Sequence, residues 1–380
     1  MRTIAVVGTS LAGLRSAQEL RQQGFDGKLV LVGEEPHQPY DRPPLSKDFL
    51  LGKLDADDLA LASAEDLAGL DAEWRLGTRA ERLSGTTLTL SDETEIAADG
   101  VVVATGGTAK TLAGSGHLAG VHTLRTLDDA VALRRALAAG PSGVVVIGAG
   151  FIGAEVASAC WALGHEVTVV EAAPVPLAGV LGAPLGAVCA GLHGHHGVRM
   201  LTGVGVAGLL GTSAVTGVRL ADGTEIPAEL VVVGVGVRPN TAWLTGSGIA
   251  VDDGVLADSG CVTRNPRVIA VGDVVRYQCP RRGRRVRAEH WTAATEQPAV
   301  AVRNLLAGST VANYERPGYF WSDQYGRRIQ FAGVGTGEAR IVEGDPGERK
   351  FVATYTEGER VVGVLAMDSP KSFTRLRRAL

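Results

Sequence analysis

The chain is short of several things, and each shortage narrows what it can do. Its four cysteines, Cys160, Cys189, Cys261 and Cys279, lie far apart with no C-x-x-C spacing. That argues against a disulfide framework or a zinc ribbon and fits a reducing compartment, so a cytoplasmic protein is expected. No apolar run approaches the roughly 20 residues that a membrane helix needs, and no membrane partner is expected. A secretory signal is not expected either, because the apolar IAVV near the start runs straight into a glycine turn and reads as a structural strand. Aromatic residues make up only 5%, which leaves few platforms for stacking single strands. The net charge of −4 likewise gives no general attraction to nucleic acid.

Glycine is abundant. The 380 residues include 51 glycines and are 45% hydrophobic, a globular composition long enough for two or three domains. Runs of strand type recur before glycines: IAVVG, KLVLVG, GVVVATGG, GVVVIGAG, EVTVVE, ELVVVGVGV and VIAVGD. Several are continuously β-branched rather than alternating, as parallel strands buried on both faces should be. Helical patterns such as LRSAQELRQQ and AEVASACWALG follow them, so the chain reads as α/β built from βαβ units. TLRTLDDAVALRRALAAGPSG reads as a connecting helix with a loop, and VIAVGD as a last strand returning to the first domain. Toward the end, RRIQFAGV, KFVATYT and VVGVLAM alternate as antiparallel strands do.

Two stretches match the turn that joins the first strand and helix of a dinucleotide-binding unit. One is Gly148-x-Gly150-x-x-Gly153; the other, near the start, is Gly8-x-Ser10-x-x-Gly13. In such a unit the first glycine allows the tight turn, the second lets the pyrophosphate approach the backbone, and the third allows close helix packing. The diphosphate sits at the helix N-terminus, and an acid some 20 residues on binds the ribose. Glu171 supplies that acid for the second turn and Glu34 for the first. A carboxylate at 171 accepts from a 2′-hydroxyl and repels a 2′-phosphate, and no basic side chain follows in AAPVPLAG, so NADH is preferred over NADPH. Ser10 leaves two readings of the first turn: a degenerate turn that only packs, or a second nucleotide site with its hydroxyl toward a phosphate. Asp273, in VIAVGD, can accept from a ribityl hydroxyl.

VVGTSLAG, PYDRPPLSK, ATGG, LRTLDDA, VIGAGFIGAEVA, GVGVRPN, AVGD, EHWTAATEQ and FWSDQY occur in this order. Together they resemble the FAD-dependent NAD(P)H:ferredoxin reductases, the putidaredoxin reductase-like family that serves haem-thiolate monooxygenases and Rieske-type dioxygenases. PYDRPPLSK, EHW and FWSDQY belong to a narrow group rather than to flavoproteins at large. The resemblance implies a glutathione-reductase-like α/β fold: two dinucleotide-binding Rossmann-type domains plus a small C-terminal α+β domain. The expected partition is an FAD-binding domain over 1–113 and 247–312, an NAD-binding domain over 114–246, and an antiparallel-sheet domain over 313–380.

The same resemblance implies FAD contacts at Ala12, Gly13, Glu34, Lys47, Ala80, Arg125, Asp273 and Trp291, beside Gly8 and Ser10 of the first turn. It implies NADH contacts at Ile152, Glu155 and Gly236, beside Gly148, Gly150, Gly153 and Glu171. Lys47 and Glu155 are the implied catalytic pair, the lysine by the flavin and the glutamate orienting it. Taken alone, Lys47 reads as a solvated lysine and Glu155 as an exposed helix position. No metal is expected: His193, His195 and His196 read as surface histidines at a helix end, without a carboxylate or cysteine beside them.

The implied reaction takes hydride from NADH to FAD and then single electrons to an iron–sulfur ferredoxin that feeds a monooxygenase or dioxygenase. Disulfide reductases of this fold need a cysteine pair close in sequence, and the related peroxidases need one in the N-terminal region; this chain has no cysteine before Cys160. An acidic ferredoxin is expected to be steered by Arg281, Arg282, Arg284, Arg285 and Arg287. Rival readings are a flavoprotein of the same fold that reduces rubredoxin, a quinone or another small acceptor, and an NADH-sensing flavoprotein.

Overall fold

A computed structural model describes all of residues 1–380, which form two compact units. The first comprises 1–41, 59–108 and 238–318, and the second 42–58, 109–237 and 319–380. These limits differ from the breaks read from the pattern. Residues 42–58 pack in the second unit, and the C-terminal sheet shares that unit with the second dinucleotide domain.

In the first unit, Thr3–Val7 lies at the centre of a parallel five-stranded sheet. Lys28–Gly33 and then Ala72–Leu76 flank it on one side, Gly100–Val103 and then Val268–Ala270 on the other. The order is therefore 3-2-1-4-5, and the return of VIAVGD to this sheet makes the unit discontinuous in sequence. Ile4, Val6, Leu31, Val101 and Ile269 are fully buried, as the unbroken apolar runs require of strands covered on both faces. The second unit repeats the plan: Arg199–Thr202, Val167–Glu171, Val144–Ile147, Leu230–Val233 and Val121–His122, all parallel. The strand order reverses beside Thr3–Val7 in the first sheet and beside Val144–Ile147 in the second, where this class of fold opens a crevice at the carboxyl ends.

The C-terminal sheet is antiparallel: Tyr319–Gln324, Arg327–Gly333, Arg360–Met367, Lys350–Glu357 and Glu338–Asp345 in spatial order. Helix Pro370–Arg377 closes one face by burying Phe373 against Ala332, Val352, Val364 and Ala366. No helix in the structure is long and apolar enough to cross a membrane.

One side chain of helix Trp291–Ala307 ties it to two neighbouring loops of the first unit. Asn304, fully buried, donates to Gly260 O and Ala312 O at 2.9 and 2.8 Å. Its carbonyl accepts from Val311 N and Ala312 N at 2.8 and 2.9 Å, so both donors and both lone pairs are used. Asn304→Ala strands four backbone groups and should destabilise the first unit by about 3 kcal/mol, read as a lower midpoint in urea unfolding.

Candidate active site

The two glycine turns are built alike. Gly8 and Gly148 have φ of +109° and +100°, and each donates its N–H across the sheet at 2.7 Å, to Val32 O and Val170 O. A Cβ at Gly8 would lie 2.1 Å from Ala104 O, and one at Gly148 would lie 2.3 Å from Gly234 O. A Cβ at Gly13 or Gly153 would fall 1.7 or 2.0 Å from the carbonyl of the first glycine, so neither position admits a side chain. The middle position is different. Ser10 and Gly150 are both helix N-caps in extended backbone, with φ of −75° and −69°, a conformation open to any residue. The serine that interrupts the first fingerprint therefore costs the turn nothing.

Helices Ala64–Ala68 and Leu127–Ala138 are capped by Ser63–Asp66 and Thr126–Asp129 boxes with acids in their first turns. The helices after the glycine turns, Leu11–Gln22 and Phe151–Ala162, have no side-chain cap and no acid in the first turn. Their positive ends suit a diphosphate. Glu171 closes the second turn: its carboxylate accepts from Ala149 N and Ala173 N, both at 2.8 Å. Ile152 and Val235, large apolar residues close to the Gly148 turn, stand 44% and 38% exposed, and Gly236 follows at φ +97°. Glu34 sits at the matching place in the first unit, with Arg79 at 3.6 Å.

The first turn opens onto groups that fit a bound dinucleotide. Gly272, φ +74°, comes so close to helix Leu11–Gln22 that a Cβ would lie 2.9 Å from Ala12 Cβ. Its N–H donates to Gln297 Oε1 at 2.8 Å, whereas Gln297 Nε2, in a fully buried side chain, has no partner. A buried amide left without an acceptor is costly, and a ligand oxygen would relieve it. Next to this pair, Asp273 raises the affinity of His290 for a proton while burial, the larger effect, lowers it. Trp291 Nε1 donates to Asp41 Oδ1 at 2.8 Å, which fixes the indole at the start of its helix. Ala80 is a buried strand residue.

Lys47, Glu155 and Arg125 belong to the second unit. Two prolines stiffen the 3₁₀ turn Pro43–Ser46, and Lys47 follows it, donating from Nζ to Pro43 O at 3.0 Å. The ammonium pairs with Glu155 Oε2 at 2.8 Å, with side chains 15% and 4% exposed. This overturns the reading of either residue alone: neither is a solvated surface group. Ser46 Oγ donates to the same carboxylate oxygen and Ser322 Oγ to the other. Arg125 N donates to Asp129 Oδ2 at 2.9 Å, and Arg42 donates to the Arg125 carbonyl. Ser46, Ser322 and Gln297 were missed from sequence, although all three stand inside PPLSK, FWSDQY and EHWTAATEQ.

Two further readings change. Arg287 is not part of an open cationic run: its side chain is 13% exposed and pairs with Asp253 and Glu289, and Arg281 donates to the Glu315 carbonyl. Arg284 and Arg285 are exposed on the outer strand Arg284–Arg287. His193 is not a surface histidine. It is 1% exposed and shares a 2.6 Å hydrogen bond with Tyr325 Oη, while His196 stacks on the Tyr325 ring at 4.4 Å. Burial, aided by His196, pushes the His193 pKa down to about 4. All four cysteines are buried free thiols, and burial pushes Cys160 and Cys189 up to about 12, far from thiolate chemistry.

Two dinucleotide folds, a buried lysine–glutamate pair and no reactive thiol define a nucleotide-dependent oxidoreductase whose chemistry resides in bound cofactors. The chain belongs to the pyridine nucleotide-disulphide oxidoreductase family, whose model matches residues 2–298, and residues 319–380 match the reductase C-terminal domain. Members of this family bind FAD and NAD(H). The chain is 37% identical over 385 residues to the ferredoxin–NAD(+) reductase component of the anthranilate 1,2-dioxygenase system of Burkholderia cepacia, covering 99% of this chain and 93% of the relative. It is 34% identical over 387 residues to putidaredoxin reductase CamA of Pseudomonas putida, covering 99% and 91%. The crystal structure of the covalent putidaredoxin reductase–putidaredoxin complex superimposes with a TM-score of 0.94 at 33% identity, covering 99% of this chain and 92% of that one.

Glu171→Ala should raise the KM for NADH about tenfold, roughly 1.4 kcal/mol, and narrow the preference over NADPH. Bound FAD should be unchanged, as read from the flavin absorbance of the purified variant. Because its proton affinity is depressed in the folded chain, His193 contributes stability in full above pH 6.5 and loses it as the pH falls toward 4. About 2 kcal/mol of acid sensitivity should therefore disappear in His193→Phe when urea midpoints are compared at pH 7 and pH 4.5.

Proposed function

We propose that this chain is an FAD-dependent NADH:ferredoxin oxidoreductase that feeds electrons to an oxygenase system. Named relatives along its full length are the reductase components of such systems, and the residues of its candidate site support this reading. The carrying observation is the buried Lys47–Glu155 pair, in a chain with two uncapped dinucleotide turns and no accessible thiol.

The chemistry that bound FAD supplies is the conversion of a two-electron hydride into two single-electron transfers. The residues do the rest. Backbone N–H groups at the start of helix Leu11–Gln22 hold the FAD diphosphate, with Gly8, Ser10, Ala12 and Gly13 leaving room for it. Asp273 accepts from the ribityl chain, Glu34 from the adenosine ribose, and Ala80 and Arg125 complete the contacts carried over from the family. Trp291, fixed by Asp41, and Lys47 are assigned to the isoalloxazine. Gly148, Gly150 and Gly153 receive the NADH diphosphate, Glu171 accepts from its ribose, and Ile152 and Gly236 flank it. The Lys47 ammonium, held by Glu155, would favour negative charge on a group bound beside it.

The partner is an iron–sulfur ferredoxin. We assign its approach to the exposed Arg284 and Arg285, with Arg282 at the same hairpin tip, and take Arg281 and Arg287 as structural. We place the enzyme in the cytoplasm, where its four free thiols remain reduced.

The test is NADH-driven cytochrome c reduction by the purified yellow protein, with and without a [2Fe–2S] ferredoxin, at low and high salt. A ferredoxin-dependent rate that salt suppresses is expected, and a rate indifferent to ferredoxin would reject the assignment. The double variant Arg284→Glu/Arg285→Glu should raise the KM for ferredoxin about tenfold at low salt and flatten the salt dependence, with NADH oxidation by ferricyanide unchanged.

A further inference from the structure

Glu155 divides its two oxygens between different parts of the chain. Oε2 accepts from Lys47 Nζ at 2.8 Å and from Ser46 Oγ at 2.5 Å, both in the 42–58 segment. Oε1 accepts from Ser322 Oγ at 2.6 Å, and Ser322, fully buried, lies on the first strand of the C-terminal sheet. A serine hydroxyl can usually turn its proton wherever a partner offers. Here Gln324 Nε2 donates to Ser322 Oγ at 3.0 Å and occupies a lone pair, which leaves the Ser322 proton directed at Glu155. Gln324 is itself 1% exposed, so water does not compete.

The strand is held in register on the helix that carries Glu155. Phe320 packs its ring 4.4 Å from that of Phe151, Ser322 meets Glu155, and Tyr325 N donates to Ser158 Oγ at 2.7 Å. Two strand residues advance about 6.6 Å and four helix residues about 6 Å, so the steps from Phe151 to Glu155 and from Phe320 to Ser322 match. Ser322 cannot leave Glu155 without moving the contacts on either side.

We propose that Ser322 is a positioning residue for the Lys47–Glu155 pair. By fixing the rotation of the carboxylate it keeps Oε2 toward Lys47 and so sets where the ammonium stands. The inference rests on the assignment of Lys47 to the isoalloxazine made above. Removing the hydroxyl frees the carboxylate to turn toward its remaining donors, and the lysine then favours reduction of the flavin less.

The experiment is a dye-equilibrated redox titration of the full-length, FAD-loaded protein without NADH or ferredoxin, comparing Ser322→Ala, Ser322→Thr and Gln324→Leu. Ser322→Ala should keep its FAD and lower the reduction equilibrium constant about tenfold, which is about 30 mV for a two-electron couple. Ser322→Thr restores the hydroxyl and should return the potential toward that of the parent. Gln324→Leu leaves the hydroxyl but releases its orientation, and should shift the potential the same way by less; it carries the test if the alanine variant does not fold. A parent-like potential in Ser322→Ala, or a threonine variant that folds but restores nothing, overturns the proposal. Lys47→Met separates the layers: if it leaves the potential unmoved, the assignment of Lys47 falls and the proposal with it. If it moves the potential while Ser322→Ala does not, only the role of Ser322 is lost. Absence of ferredoxin-dependent turnover in the parent would reject the functional reading alone, since the titration needs neither substrate.

Discussion

The buried carboxylate of Glu155 is the constraint around which the second unit is organised. A charge taken out of water is tolerated only when its lone pairs are met by donors, and losing one partner of such a pair commonly costs 3–5 kcal/mol. The donors here come from Ser46 and Lys47, more than 100 residues before Glu155, and from Ser322, more than 160 after it. Three distant stretches are thus required at one point. This accounts for the departure of residues 42–58 from the domain in which sequence order would leave them, and for the C-terminal sheet sharing a unit with the second dinucleotide fold.

Much of the architecture was legible because it is written locally. Unbroken β-branched runs gave the parallel strands, the segment TLRTLDDAVALRRALAAGPSG gave the connecting helix, and alternation from Arg327 onward marked the antiparallel sheet. The glycine turns, too, were local signals whose backbone demands could be read directly. What escaped was decided by pairing at long range. Nothing near Glu155 announces that its position on the helix faces inward, and Ser46 and Ser322 are unremarkable serines until the fold brings them to it. His193 was misread for the same reason, because its partner Tyr325 lies at a hairpin on the C-terminal sheet. Arg287 looked like one cation in a run of five; Asp253, distant in sequence, neutralises it.

The four cysteines make the electron route a matter of placement rather than thiol chemistry. Each is buried, and burial pushes the thiols of Cys160, Cys189 and Cys261 up, away from the thiolate. The family to which the chain belongs takes its name from disulphide chemistry, yet this member keeps only the nucleotide-binding architecture. What the structure shows of the protein's contribution is positional: two helix ends left without a side-chain cap, and a lysine whose charge is held in place by a network spanning the unit.

The paired glycine turns also differ from position to position in how much change they tolerate. Their outer glycines are imposed by the chain on itself, since a methyl group at either would run into a backbone carbonyl. A side chain there is excluded whatever the turn binds. The middle residue is under no such discipline, because its backbone angles suit any amino acid. A serine in one turn and a glycine in the other is therefore no sign of a degraded turn, since the backbone accepts either.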